Sequence, residues 1–213
     1  MIFRTEEKEF KCAVCGETSV HEVIAEQERP TGAPDLDMRP DEPVRSGIKY
    51  WVSKCPNCGY CNSSIAIPVK FTKEYLDSDN YNKSGDDLAG RFMKKSLACE
   101  KNKEFEEALK SCMYAAWACD DEGDGERAVE CRRAAVRIYD THGAAFKDNA
   151  DIKLLVADLL RRSGAYDRVI RDYKDARYGS ELIMTINAFQ VSLAEQGDSA
   201  CHKATEVPGV RAK

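Results

Sequence analysis

The sequence predicts a mainly α protein with a small β module at its N-terminus, and three observations carry that expectation. Two Cys-x-x-Cys-Gly runs fall within the first 60 residues. Before residue 75 the apolar positions recur with the period of a strand. Beyond residue 88 they recur with the 3.6-residue period of a helix.

Residues 1–75 form the β module in this reading. A short strand is expected around His21 to Glu26. Gly47-Ile48-Lys49-Tyr50-Trp51-Val52-Ser53-Lys54 alternates and is rich in β-branched and aromatic side chains, so it reads as a second strand. Ile65, Ile67, Val69 and Phe71 recur at period two, which makes 63–71 a third, with Pro68 holding it to an edge or an end. Residues 29–46 carry Pro30, Pro34, Pro40 and Pro43, four of the chain's seven prolines, and are expected to form an irregular loop. The polar run at 76–87 reads as a linker, with Ser84 or Asp86 as the cap of the first long helix.

A helical domain over 88–205 follows. Phe105, Ala108, Leu109, Cys112, Met113 and Ala116 mark one helical face. Tyr114, Ala115, Trp117, Ala118 and Cys119 make the second half of that helix apolar all round, so it should be central. About six helices are expected, near 88–101, 104–121, 125–141, 150–163, 166–176 and 181–196, and their short breaks favour antiparallel hairpins. Ala157, Leu160, Tyr166, Val169, Tyr173 and Ala176 follow the small-large-aromatic order of a tetratricopeptide hairpin, as do Ser96, Cys99, Phe105, Ala108, Cys112 and Ala115. A further copy begins only 20 residues after the first rather than 34, so the helices read as tetratricopeptide-like without being a regular array. Residues 206–213 read as a disordered tail.

The whole chain has 213 residues, 32 Lys plus Arg against 37 Asp plus Glu, and a net charge of -5. Residues 1–80 are themselves acidic, which argues against nucleic acid, since phosphate contacts need a cationic surplus. No apolar run reaches the roughly 18 residues of a membrane span. The first residues also lack the pattern of a signal peptide. A cytoplasmic protein is expected, whose ten cysteines would be reduced thiols or metal ligands rather than disulfides.

Cys12-Ala13-Val14-Cys15-Gly16 and Cys55-Pro56-Asn57-Cys58-Gly59 have the form of zinc knuckles. In such a turn both thiolates reach one ion, the following Gly supplies a left-handed backbone, and backbone N–H groups point at the sulfurs. Cys12, Cys15, Cys55 and Cys58 would then close a tetrahedral shell in a rubredoxin-like zinc ribbon. Four thiolates leave no open position, so the Zn2+ would be structural, and iron in the same sulfurs is the alternative. Lys11 and Lys54 precede the two knuckles and would offset the negative site. Cys61 also stands in a Cys-x-x-Cys with Cys58, but the 55/58 pair alone has Pro within and Gly after. His21 is not at a knuckle spacing. Cys99, Cys112, Cys119 and Cys131 fall at helix-core positions and read as buried thiols.

Three further features weigh on function. The proline-rich loop carries Asp35, Asp37, Arg39 and Arg45, which would either form a recognition surface or pin the loop by pairing among themselves. Arg161 and Arg162 would grip an acidic peptide if the hairpins form a groove. The acidic run Asp120 to Glu126 fails as a calcium loop, because Cys131 stands at the twelfth position, where the bidentate Glu belongs.

The run Pro34-Asp35-Leu36-Asp37-Met38-Arg39-Pro40, then Arg45, Ile48, Lys49, Tyr50 and the Cys55–Tyr60 knuckle, resembles the bacterial family termed domain of unknown function 2225. Ala115-Ala116-Trp117 and Leu159–Gly164 are similar to it as well. The resemblance implies the two-part architecture and no assigned activity. From the closed metal shell, the tetratricopeptide-like helices and the lack of a catalytic constellation, the expected role is a non-enzymatic zinc-binding module for a protein or peptide partner. The alternatives are a rubredoxin-like electron carrier, a ribbon that touches nucleic acid, and an enzyme using the acidic loop.

Overall fold

The computed structural model describes residues 3–210. It opens with a hairpin, β1 Phe3–Lys11 and β2 Thr18–Gln27, in antiparallel register from Phe3 opposite Gln27 to Lys11 opposite Thr18. β2 covers the strand expected near His21. β1 was not expected: its core Arg4-Thr5-Glu6-Glu7-Lys8-Glu9 is mostly solvent-facing and so lacks an alternating pattern. The hairpin rests on the body where the Phe3 ring meets Tyr50 edge-on at 5.5 Å.

The strand expected over 47–54 is largely a 3-10 helix, Arg45–Tyr50, and only Ser53–Lys54 (β3) is extended. Gly47 and Ile48 are buried there, and Ile48 enters the helical core. The alternation of Ile48, Tyr50 and Val52 fits either conformation, and tertiary burial decides it. Nor does 63–71 form a strand. β3 pairs instead with Cys61–Asn62 (β4), while Ile65 is buried in a run of turns.

The polar segment expected as a linker is folded. α1 Lys73–Leu76 and α2 Asp79–Asn82 bury Leu76 and Tyr81 beneath the second knuckle, and the Tyr81 hydroxyl accepts from Cys61 N at 2.9 Å. The cap of the next helix is Asp87 rather than Ser84 or Asp86; its carboxylate accepts from Gly90 N at 2.7 Å. Gly90 is required there, because a Cβ would stand 2.4 Å from the Ser84 carbonyl. Asp86 binds Lys54 and Lys94 instead.

The expected helices then follow as α3 Leu88–Asn102, α4 Phe105–Glu122, α5 Gly125–Thr141, α6 Ala150–Arg162, α7 Tyr166–Tyr173 and α8 Glu181–Glu195. Two-residue turns at 103–104 and 123–124 fold α3 and α5 back onto α4, the central helix. Small side chains permit the close approach of α3 and α4: the Ser96 hydroxyl donates to the Ala108 carbonyl at 2.8 Å. The largest core cluster gathers Leu109, Met113, Trp117, Ile138, Ile152, Leu159 and Val169 around α4, with Ile48 from the N-terminal half. Residues 206–210 do not form a free tail. Val207 is buried against Leu36 and Leu193, while 211–213 lie outside the described residues.

Candidate metal centre

The four knuckle cysteines converge. Cys12 follows β1, Cys15 closes its turn, and Cys55 and Cys58 lie in the turn between β3 and β4. Their sulfurs lie within 4.8 Å of one another. Cys12 Sγ stands 3.6 Å from Cys58 Sγ, and Cys15 Sγ 3.7 Å from Cys55 Sγ. A tetrahedron with Zn–S of about 2.3 Å has S···S edges of about 3.8 Å, so the spacing fits one ion. It is far too long for disulfides, and all four thiols are free.

Both knuckles have the backbone the spacing predicts. Gly16 N donates to Cys12 O at 2.9 Å and Gly59 N to Cys55 O at 3.0 Å. Gly16 and Gly59 sit at φ +76 and +75, the left-handed region that other L-residues enter at a cost. A Cβ on Gly59 meets nothing within 4 Å, so the cost of Gly59→Ala is purely conformational. It should lower stability by about 1–2 kcal/mol while zinc stoichiometry is kept, read as a shifted denaturant midpoint with unchanged metal content.

The electrostatics are those of a site that needs a cation. Burial pushes the Cys12 thiol up, against the opposing pull of the Cys15 and Val14 backbone donors. It does the same to Cys58, against a backbone hydrogen bond from Tyr60. At Cys15 burial also raises the pKa, but the Asn57 side chain and the Glu17 backbone outweigh it and bring it down to about 6. Ionising Cys12 and Cys58 is favoured by a metal's charge. Acid must therefore displace the metal: as pH falls the thiolates protonate and affinity drops. Titration against a chromophoric chelator should show tight retention at neutral pH and steep release on acidification, whereas flat affinity across that range would exclude thiolate ligation.

The other candidates separate from the centre. Cys61 is buried, pushed up to about 12 by burial, and its thiol donates to Gly59 O at 3.4 Å. His21 is bound to Ser19 Oγ at 2.8 Å. Lys54 pairs with Asp86 at 2.7 Å.

The charged residues singled out as partner-binding are mostly interior. Asp37 is 1% exposed, and its Oδ2 accepts from Trp117 Nε1 at 2.7 Å and from Arg162 at 2.9 Å. Arg39 is buried, donating to the Trp117 carbonyl at 3.2 Å and pairing with Asp121, which Arg45 also binds at 2.7 Å. Asp35 is buried beside Lys203 at 3.2 Å. The loop is thus pinned, but by α4, α6 and the C-terminal segment rather than by pairs within itself.

Arg161 is 0% exposed and fully engaged, by Asp158, Gln190 and the carbonyls of Asp198 and Ala200. It locks α6 to α8 and cannot grip a peptide. Arg162 is spent on Asp37 and Asp120. Asp120 (which also binds Arg132), Asp121 and Lys203 are members of this network whose part in it sequence reasoning missed.

Among the described residues, no helix is long and apolar enough to cross a membrane. No protein-family model, curated protein or solved structure matches the chain.

Proposed function

We propose that the chain is a non-enzymatic zinc protein in which a closed four-thiolate centre staples an N-terminal zinc ribbon, followed by tetratricopeptide-like helices that take a protein or peptide partner. One observation carries this reading: four sulfurs at tetrahedral spacing, drawn from two turns far apart in sequence. Such a shell leaves the ion no vacancy for water or substrate, so its role is to hold the fold. The resemblance to domain of unknown function 2225 belongs to the same proposal. Support for the interaction role comes from the exposed apolar side chains of Met38 and Leu182, which line one cleft. Nucleic acid is disfavoured by the acidic side chains of the exposed hairpin, among them Glu6, Glu9 and Glu22.

Elemental analysis of the purified chain tests the metal. One zinc per chain in a colourless protein is expected. A red protein carrying iron establishes the electron-carrier alternative, and a chain free of metal removes the staple altogether.

A further inference from the structure

The charged loop and the helices enclose a cleft outside the metal centre. Its volume is about 650 Å³. Trp51 and Tyr114, Leu154 and Leu155 of α6, and Ile183 and Ile186 of α8 line it, with the buried Trp117 beneath. Met38 and Leu182 stand at the rim, 63% and 53% exposed, the most exposed large apolar side chains besides Val20.

Met38 is held there against its own preference. It is one of two non-glycine residues with positive φ among those described, at +65, at the tip of a turn closed by Asp35 N donating to Arg39 O at 2.9 Å. Strain of that kind persists where the surroundings over-determine it. Here they do: Asp35, Asp37 and Arg39 on either side are the buried charges tied to Lys203, Trp117, Arg162 and Asp121. Buried ion pairs add little net stability, and Arg39 Nε and Arg162 Nε have no hydrogen-bond partner among the described residues. What the network does achieve is a rigid loop that presents an apolar side chain over an apolar cleft.

The charges at the mouth define the occupant. Lys110 is the one basic lining residue, and it is neutralised by Glu106 at 2.6 Å; Asp35 is answered by Lys203. Asp151, exposed in the first turn of α6, has no ion pair among the described residues, so the mouth carries a negative surplus. The apolar lining reaches out to Met38 and Leu182, both more than half exposed, so the cleft is open at its rim rather than an enclosed small-molecule cavity.

We propose that this cleft binds a peptide segment carrying a large apolar anchor flanked by Lys or Arg, with the anchor against Trp51 and Tyr114 and the cation at Asp151. The inference rests on the reading of the helical layer as an interaction module and gives that module its ligand class.

The chain's only two tryptophans both line the cleft, so their emission reports it directly. The test titrates the zinc-loaded full chain with a short capped peptide of Leu anchors and Lys flanks that lacks aromatic residues. The same peptide with Glu flanks, and n-octanol, are the comparison arms. Expected are a saturable emission change with the Lys peptide and binding at least about tenfold weaker with the Glu peptide. Leu182→Glu, at an exposed position, should weaken the Lys peptide by about tenfold or more, and Asp151→Lys should erase the preference between the two peptides. Equal binding of both peptides overturns the proposal, as does saturation by n-octanol with neither peptide binding. Emission and sedimentation that change with protein concentration alone would assign the cleft to a second copy of this chain and overturn it too. Failure to bind peptide by a chain that holds its zinc defeats this inference without touching the metal reading, whose failure shows instead as missing zinc.

Discussion

Cys55→Ser should abolish zinc binding and unfold the N-terminal half while most helical signal survives. Cys55 is 0% exposed and its sulfur lies 3.7 Å from that of Cys15, so a serine there removes one of four ligands and leaves a buried hydroxyl. The local core cannot compensate. Its buried members are Cys12, Cys55, Tyr60, Ile65, Leu76, Tyr81 and Ala98, of which the first two belong to the sulfur cluster. Structural zinc contributes on the order of 10–16 kcal/mol in small modules, more than many whole domains possess. The helices should lose some stability as well, because Ile48 and Trp51 pack into the cluster around α4. Zinc stoichiometry, far-UV circular dichroism and limited proteolysis together read this. The expected pattern is zinc falling from one per chain to none, cleavage within 1–82, and protection of α4 to α8. Unchanged zinc content in the variant would refute the ligand assignment.

The second large effect is expected from Asp37→Ala, a position remote from the metal. Its carboxylate is the acceptor for Trp117 Nε1 and Arg162 and also accepts from Arg39 N at 3.2 Å. Removing it strands an indole N–H and half the pairing of a buried guanidinium, which should cost about 3–5 kcal/mol. Denaturant unfolding of metal-loaded protein measures it, and a loss below about 1 kcal/mol would mean the network does not hold the loop.

Asp37→Asn isolates the titration of the same group. Burial, and then the nearby Asp158, push the Asp37 pKa up to about 6 despite Arg162, Trp117 and Arg39. The unfolded value is about 3.9, so the folded protein favours the neutral acid. That preference stabilises the wild type fully below about pH 4 and is lost as pH rises to about 6. The stability of the wild type relative to Asp37→Asn should therefore decline across that window and be level above it.

Sequence grammar reaches the parts of this fold whose determinants are local. A knuckle is set by five consecutive residues, so Cys12, Cys15, Cys55 and Cys58 were readable, and so was the rejection of Cys61 and His21. The long helices were readable because Leu109, Met113 and Leu155 repeat at 3.6 residues. What escaped depends on distant partners. Ile48 is drawn out of a strand by the α4 cluster, and Tyr81 turns a polar linker into a lid beneath the second knuckle. Asp37, Arg39 and Arg161 look like surface charges in any pattern, since burial of a charge is decided by its counter-charge across the fold. A signal for the network did exist: the wholly apolar stretch around Trp117 leaves its indole N–H in need of an acceptor from elsewhere.

A closed sulfur shell around a single ion is tested most directly by X-ray absorption at the zinc edge of the purified full chain. Four sulfur scatterers at about 2.3 Å with no nearer oxygen or nitrogen are expected. A shell containing a light-atom ligand would reopen the site to chemistry and contradict the structural role proposed for it.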